Sequence, residues 1–167
     1  MLAGFLFLNR LACGLLLAAS CTLVFANVVG RYVFGVSFAW AEEVSRYMMI
    51  WLAFLAAGLA LREGAHIAVE NLPDALPAPL AIAVRLAALL LMAGFIALIG
   101  WLGWQYAQFA MMQRTPVMRW PVGQIYLAIP IGMGLMLVHL ALVARDYVVR
   151  PKDDAARIHA AELGSAL

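Results

Sequence analysis

Four long stretches of this chain contain no charged side chain: Leu11 to Gly30, Tyr47 to Leu61, Leu86 to Gln113 and Pro121 to Ala144. A helix that crosses a bilayer needs roughly 20 apolar residues, with a range of about 17–25. The second run meets that length if its helix starts near Trp40 and leaves Glu42, Glu43 and Arg46 in the headgroup layer. Helices are the only open-ended spanning structure, because an unpaired backbone N–H or C=O is too costly in hydrocarbon. Composition agrees. The 167 residues are 66% hydrophobic and 12% charged, whereas soluble domains run about 45–50% apolar and about 25% charged. The expected fold class is therefore an all-α integral membrane protein with four transmembrane helices, at about residues 7–30, 40–62, 80–113 and 121–146. They form a single membrane domain over residues 1–150, followed by a short cytoplasmic tail over 151–167.

With four spans, both termini lie on one side. That side carries Arg10, Arg62, Arg85, Arg145, Arg150, Lys152 and Arg157, against Arg31, Arg46, Arg114 and Arg119 on the other. The Lys and Arg excess marks the cytoplasmic side, so both termini are expected there. The first span resembles a signal peptide only superficially. No basic stretch precedes it and no small-x-small cleavage site follows, so it is expected to be a retained helix. The same topology places Trp40, Trp51, Trp101, Trp104 and Trp120, with Tyr32, Tyr47, Tyr106 and Tyr126, in the outer half or near the midplane. Interface aromatics anchor helices in lipid, and a one-sided belt also suits a docking face.

Local signals add detail. Ser37 is a candidate N-cap for the second helix, and Glu42 with Glu43 suit the positive end of its dipole. Trp40, Tyr47, Trp51 and Phe54 share one face. Ala53, Ala56, Ala57, Gly58 and Ala60 offer small surfaces for close helix packing. Pro73, Pro77 and Pro79 exclude a continuous helix through the second loop. A third helix that runs to Gln113 exceeds the roughly 30 Å core and must tilt or protrude, and Arg85 can snorkel to the surface. Pro130 should kink the fourth helix.

Chemistry is scarce. Cys13 and Cys21 lie eight residues apart in one helix, about 12 Å along its axis, and cannot bridge each other. The helix centres are nearly free of ionisable groups, His139 excepted, and that histidine reads as a hydrogen-bonded packing residue. A small redox-complex anchor would need histidines facing each other at one depth, and His66, His139 and His159 do not meet that requirement. A stand-alone exporter would need a carboxylate inside the first helix, which has none. No nucleophile–base set, metal cluster or phosphate loop occurs, and a net charge of +2 points to no nucleic-acid partner. The expectation is a non-enzymatic accessory subunit with no catalytic, cofactor-binding or metal residues. The concentrated charge at Arg31, Glu42, Glu43 and Arg46 is expected to form a network that locks the first two helices together or meets a partner.

The pattern Asn27-Val-Val-Gly-Arg-Tyr-Val-Phe, then Phe38-Ala-Trp-Ala-Glu-Glu, then Arg46-Tyr and Trp51, resembles the small membrane subunit of tripartite ATP-independent periplasmic (TRAP) transporters. Arg62 with His66-Ile67, and Pro121, Tyr126 and Ile129-Pro130-Ile-Gly, agree with it over about residues 9–150. The resemblance implies a four-helix static support in the bacterial inner membrane. Its partners would be a large elevator-type carrier subunit that binds substrate and Na⁺, a periplasmic substrate-binding protein, and membrane lipids. It implies ion-gradient-driven uptake of organic acids and no cofactor in this chain. The small subunit is expected to be a chain separate from the large one. Asn27, Arg31, Tyr32, Trp40, Glu42, Glu43, Arg46, Trp51, Arg62, His66 and Pro130 are the interface or structural candidates.

Overall fold

The computed structural model describes residues 2–64 and 77–149, all of it helix and connecting turn. Helix α1 runs Leu2–Val33, α2 Ala39–Gly64, α3 Ala78–Ala110, α4 Val122–Tyr126 and α5 Ala128–Val149. Four segments are long and apolar enough to cross a membrane: Gly4–Val33, Ala39–Arg62, Pro79–Ala110 and Val122–Ala144. The protein is therefore an all-helical, four-span membrane protein. His66 and the tail beyond Val149 lie outside the described residues.

The helix ends follow from local chemistry. Pro77 precedes α3, and its carbonyl accepts from the amides of Leu80 and Ala81. Helix α3 stops at Ala110 rather than at Gln113, because the chain turns into a hairpin. Val122 N–H donates to the Gln113 carbonyl and Thr115 N–H to the Trp120 carbonyl. The fourth span is interrupted at Leu127, between α4 and α5. Pro130 has no N–H to offer the carbonyl of Tyr126, four residues back, which places the break one turn before the proline. The bonds Leu127 N–H to Gly123 O and Ile131 N–H to Leu127 O continue across it, so the span remains one path through the bilayer.

The helices form a row rather than a closed bundle. Helix α1 packs on α2, α2 on α5, and α5 on α3, while α1 and α3 share no packed seam. Close approach at two of these seams depends on glycine. A Cβ on Gly132 would lie 2.6 Å from Phe54 Cβ and 2.7 Å from the Phe54 carbonyl oxygen, so α5 touches the α2 backbone there. A Cβ on Gly103 would collide with Ile129, and one on Gly100 would lie 3.2 Å from Met133 Cβ, both on α5. Small residues permit such contact between membrane helices. Gly100 and Gly103 are thus used within the chain.

A row of helices leaves two broad faces uncovered. Large apolar side chains on α1 and α3, among them Phe7, Phe25, Leu91, Phe95 and Phe109, are exposed. The interior holds small apolar residues such as Ala41, Ala107, Ala110 and Ala128, together with polar ones: Asn9, Ser20, Asn27, Glu43, Ser45, Thr115 and His139. In lipid the apolar surface needs no burial, and the polar groups do.

Candidate functional site

The buried polar side chains lie along the α1–α2–α5 seams and gather at the two ends of the row. On α1, Asn9, Ser20 and Asn27 are buried while their neighbours face outward. Their separations, eleven and seven residues, are close to three and two helical turns, so one stripe of α1 carries all three. Midway along, Ser20 Oγ donates to the carbonyl of Ser45 at 3.5 Å, and Ser45 Oγ donates to the Glu42 carbonyl at 3.2 Å.

The end of the row away from the termini holds the first cluster. Asn27 Nδ2 donates to Glu42 Oε1 at 3.0 Å, and Asn27 Oδ1 accepts the Phe38 backbone N–H at 2.8 Å. A side chain of α1 thereby satisfies an amide that α2 leaves unpaired at its start. Ser37, the candidate cap, does not cap α2. Its hydroxyl accepts from Arg31 Nη2 at 3.2 Å, because the chain bends at Gly35 and turns the hydroxyl back towards α1. Arg31 also forms an ion pair with Glu42, both side chains being about half exposed. Arg31, Asn27, Ser37 and Glu42 therefore form one unit joining α1 to α2. At the same end, Phe25, Val29, Phe34 and Phe38 line an open apolar recess of about 440 Å³.

Glu43 points the other way. It is buried, with 4% of its surface exposed, and accepts the backbone N–H groups of Val117 at 2.8 Å and Met118 at 3.3 Å. The hydroxyls of Thr115 and Tyr47 also bond to it. Thr115 Oγ1 in turn accepts the Trp120 amide at 3.0 Å. One carboxylate on α2 thus holds the whole 114–121 hairpin that joins α3 to α4. The sequence-based network divides here: Arg31 and Glu42 join the first two helices, Glu43 holds the hairpin, and Arg46 is exposed with no ion pair among the described residues. The hairpin tip is strained, since Arg119 sits at φ 57°. That left-handed conformation costs roughly 1 kcal/mol for a residue with a Cβ.

The second cluster lies at the termini end. Asn9 Nδ2 donates to the Leu55 carbonyl at 3.4 Å and lies 3.2 Å from His139 Nε2. An amide nitrogen can only donate, so Nε2 accepts and the ring proton sits on Nδ1. The ring packs against Phe5, with centroids 5.2 Å apart, and over Gly58, where an added Cβ would lie 2.5 Å from Cδ2. His139 is the packing residue the sequence suggests, and its Nε2 is occupied. Its Nδ1, and Nη1 of Arg62 one turn beyond Gly58, are buried without a hydrogen-bond partner among the described residues. Asn9, Ser20, Ser45 and Thr115 were not visible as site residues in the sequence. A polar residue at helical spacing within an apolar run was the available signal for Asn9 and Ser20; Asn27 was noted only as the start of the motif that carries the family resemblance.

The remaining candidates serve as frame. Tyr32 and Trp40 are exposed at the α1–α2 link, and Trp51 is half-buried on α2. Pro130 lies against Gly103 at the α3–α5 seam.

Among the described residues, Asn9, Ser20, Asn27, Glu43, Ser45, Thr115 and His139 are the buried polar side chains, and each makes at least one hydrogen bond within the chain. Comparison with known proteins gives the family. The family described as "Tripartite ATP-independent periplasmic transporters, DctQ component" matches residues 20–148. The ectoine TRAP transporter small permease protein TeaB of Halomonas elongata is 31% identical over 128 residues, covering 73% of this chain and 63% of that protein. The C4-dicarboxylate TRAP transporter small permease protein DctQ of Rhodobacter capsulatus is 30% identical over 113 residues, covering 66% and 49%. The isethionate TRAP transporter permease protein DctMQ of Oleidesulfovibrio alaskensis is 29% identical over 106 residues, covering 60% of this chain and 16% of that protein. The chain spans about half to just under two thirds of the length of the small permease relatives it matches. It belongs to the DctQ family of TRAP transporter small permease subunits, a transporter component of the bacterial inner membrane and not an enzyme.

Proposed function

We propose that this chain is the stationary scaffold of its transporter. It braces a large elevator-type carrier subunit during Na⁺-coupled, binding-protein-dependent uptake of an organic acid. Both termini face the cytoplasm. Substrate and Na⁺ are bound by the partner, and this chain carries no cofactor of its own. Its own partners are that large subunit, the periplasmic binding protein and the surrounding lipid.

The observation that carries the reading is where the polar groups are used. Asn9, Ser20, Asn27, Glu43, Ser45, Thr115 and His139 all bond within the chain and tie helix to helix or helix to hairpin. A carrier needs polar or ionisable groups that face a substrate path near the midplane. Here the polar contact between the two end clusters, Ser20 with Ser45, is buried between α1 and α2. The open row supports the same reading, because its two uncovered apolar faces give a moving neighbour a rigid wall.

The test is reconstitution in liposomes under an inward Na⁺ gradient. The full chain with its large subunit and binding protein should accumulate the organic acid, and the chain alone should not. Uptake by the chain alone would overturn the scaffold reading.

A further inference from the structure

We propose that His139 and Arg62 share one buried water molecule, which closes the junction of α1, α2 and α5 at the termini end.

Three contacts fix the Asn9 amide. Its Nδ2 faces the Leu55 carbonyl at 3.4 Å and His139 Nε2 at 3.2 Å, and its Oδ1 accepts from Cys13 Sγ at 3.9 Å. Turning the amide over would set its oxygen against the carbonyl oxygen of Leu55, and two acceptors cannot bond. The nitrogen therefore stays, Nε2 accepts, and the ring proton is on Nδ1. His139 is wholly buried, with 0% of its surface exposed, and its Nδ1 has no hydrogen-bond partner among the described residues.

Arg62 Nη1 is a second such atom. Arg62 follows Gly58 by one turn of α2, and Gly58 lies under the imidazole, where an added Cβ would come 2.5 Å from Cδ2. The guanidinium is within electrostatic reach of the ring. A guanidinium only donates. Two buried donors thus belong to one junction, and neither can satisfy the other. A third group must supply lone pairs, because buried polar groups are almost always paired with protein or with ordered water.

Water meets the need by chemistry, place and size. Its oxygen offers lone pairs to both donors, and its hydrogens can bond helix carbonyls, which keep a lone pair beyond their helical bond. Arg62 is the last residue of its span, and His139 lies five residues before the end of its own, about 7.5 Å by helix rise. The site is therefore close to the wet edge of the bilayer and away from its dry centre. A lipid phosphate or a carboxylate from another chain can meet the outer edge of half-buried Arg62, but not a ring with no exposed surface. The shared water ties α2 to α5 and holds Arg62 inward. Without it, an arginine at the end of a span turns out to the headgroups, so losing the water costs the fold little.

The experiment is solid-state NMR on the full chain in lipid vesicles with ¹⁵N-labelled histidine. The chain has three histidines, and the signals lost in His139→Leu identify His139. In the wild type Nδ1 should carry the proton, and that proton should receive magnetisation from water. Arg62→Met keeps the side-chain length without an N–H, so the transfer should vanish while the tautomer stays. Arg62→Lys restores a donor and should bring the transfer back. A wild-type proton on Nε2 would overturn the proposal, because Nδ1 would then accept directly from Arg62. Absence of water transfer in the wild type would overturn it, and so would undiminished transfer in Arg62→Met. Exchange of chloride for gluconate should leave the Nδ1 signal in place, and a shift would assign the site to a halide ion and overturn the water. The wild-type spectra decide the matter even if Arg62→Met fails to fold.

Discussion

The two ends of the helix row solve the same problem to different degrees. At the hairpin end, Glu43 meets two backbone N–H groups and two hydroxyls, and Asn27 bonds through both ends of its amide. At the termini end, Asn9 anchors His139, yet His139 Nδ1 and Arg62 Nη1 are buried with no partner among the described residues. A buried donor without an acceptor costs about 1–3 kcal/mol. The hairpin end is thus a satisfied network built from polar bonds, and the termini end is held mainly by shape, with a ring lying over a glycine. Polar truncation should hurt the first end and apolar replacement should be tolerated at the second.

The largest effect is expected from Glu43→Ala. It strips the acceptor from Val117, Met118, Thr115 and Tyr47 together and frees the hairpin. The thermal midpoint of the detergent-purified chain should drop by about 5–10 °C, and protease cleavage within residues 111–121 should appear. An unchanged midpoint would erase the contrast between the ends. Asn27→Leu comes next. It leaves the Phe38 amide unpaired and removes one donor from Glu42, at a cost of about 1–3 kcal/mol in reversible unfolding in mixed micelles.

His139→Leu sharpens the comparison from the other side. It removes the unpaired Nδ1 donor, keeps most of the volume and leaves Asn9 its bond to the Leu55 carbonyl. The cost should be under about 1 kcal/mol. A loss as large as that of Asn27→Leu would show that the inner polar contact matters as much as the outer one. The smallest effect is expected from Arg31→Ala. Its ion pair with Glu42 is half exposed, and such pairs contribute about 0–1 kcal/mol. Exchanging the two, Arg31→Glu with Glu42→Arg, should recover whatever the single change loses, and a failed recovery would mean that Arg31 acts elsewhere.

The fold was legible because each span announces itself by the absence of charge, a signal that needs no knowledge of neighbours. The break in the fourth span was legible too, since Pro130 lacks an N–H wherever it stands, although its effect appears one turn earlier, at Leu127. The site was legible only in part. Arg31, Glu42, Glu43 and Arg46 were read as one network, and of these Arg31 and Glu42 form an ion pair. Glu43 was grouped with them because it is adjacent in sequence. Successive helix positions point about 100° apart, however, so neighbours in the chain face different partners. Asn9, Ser20 and Ser45 drew no attention because a small polar residue in an apolar run has no meaning until the facing helix is known. Gly100 and Gly103 are of the same kind, since a glycine signals close approach without naming the helix that approaches.

By itself the sequence determined that the chain resides in a bilayer, how many times it crosses, and where its scarce charges concentrate. Those properties depend on the transfer of side chains between water and hydrocarbon, a local quantity. Only the tertiary structure decided that the helices stand in an open row and that Glu43 serves the hairpin rather than Arg31. Those outcomes depend on which helix surfaces meet, and that follows from packing between segments up to 130 positions apart.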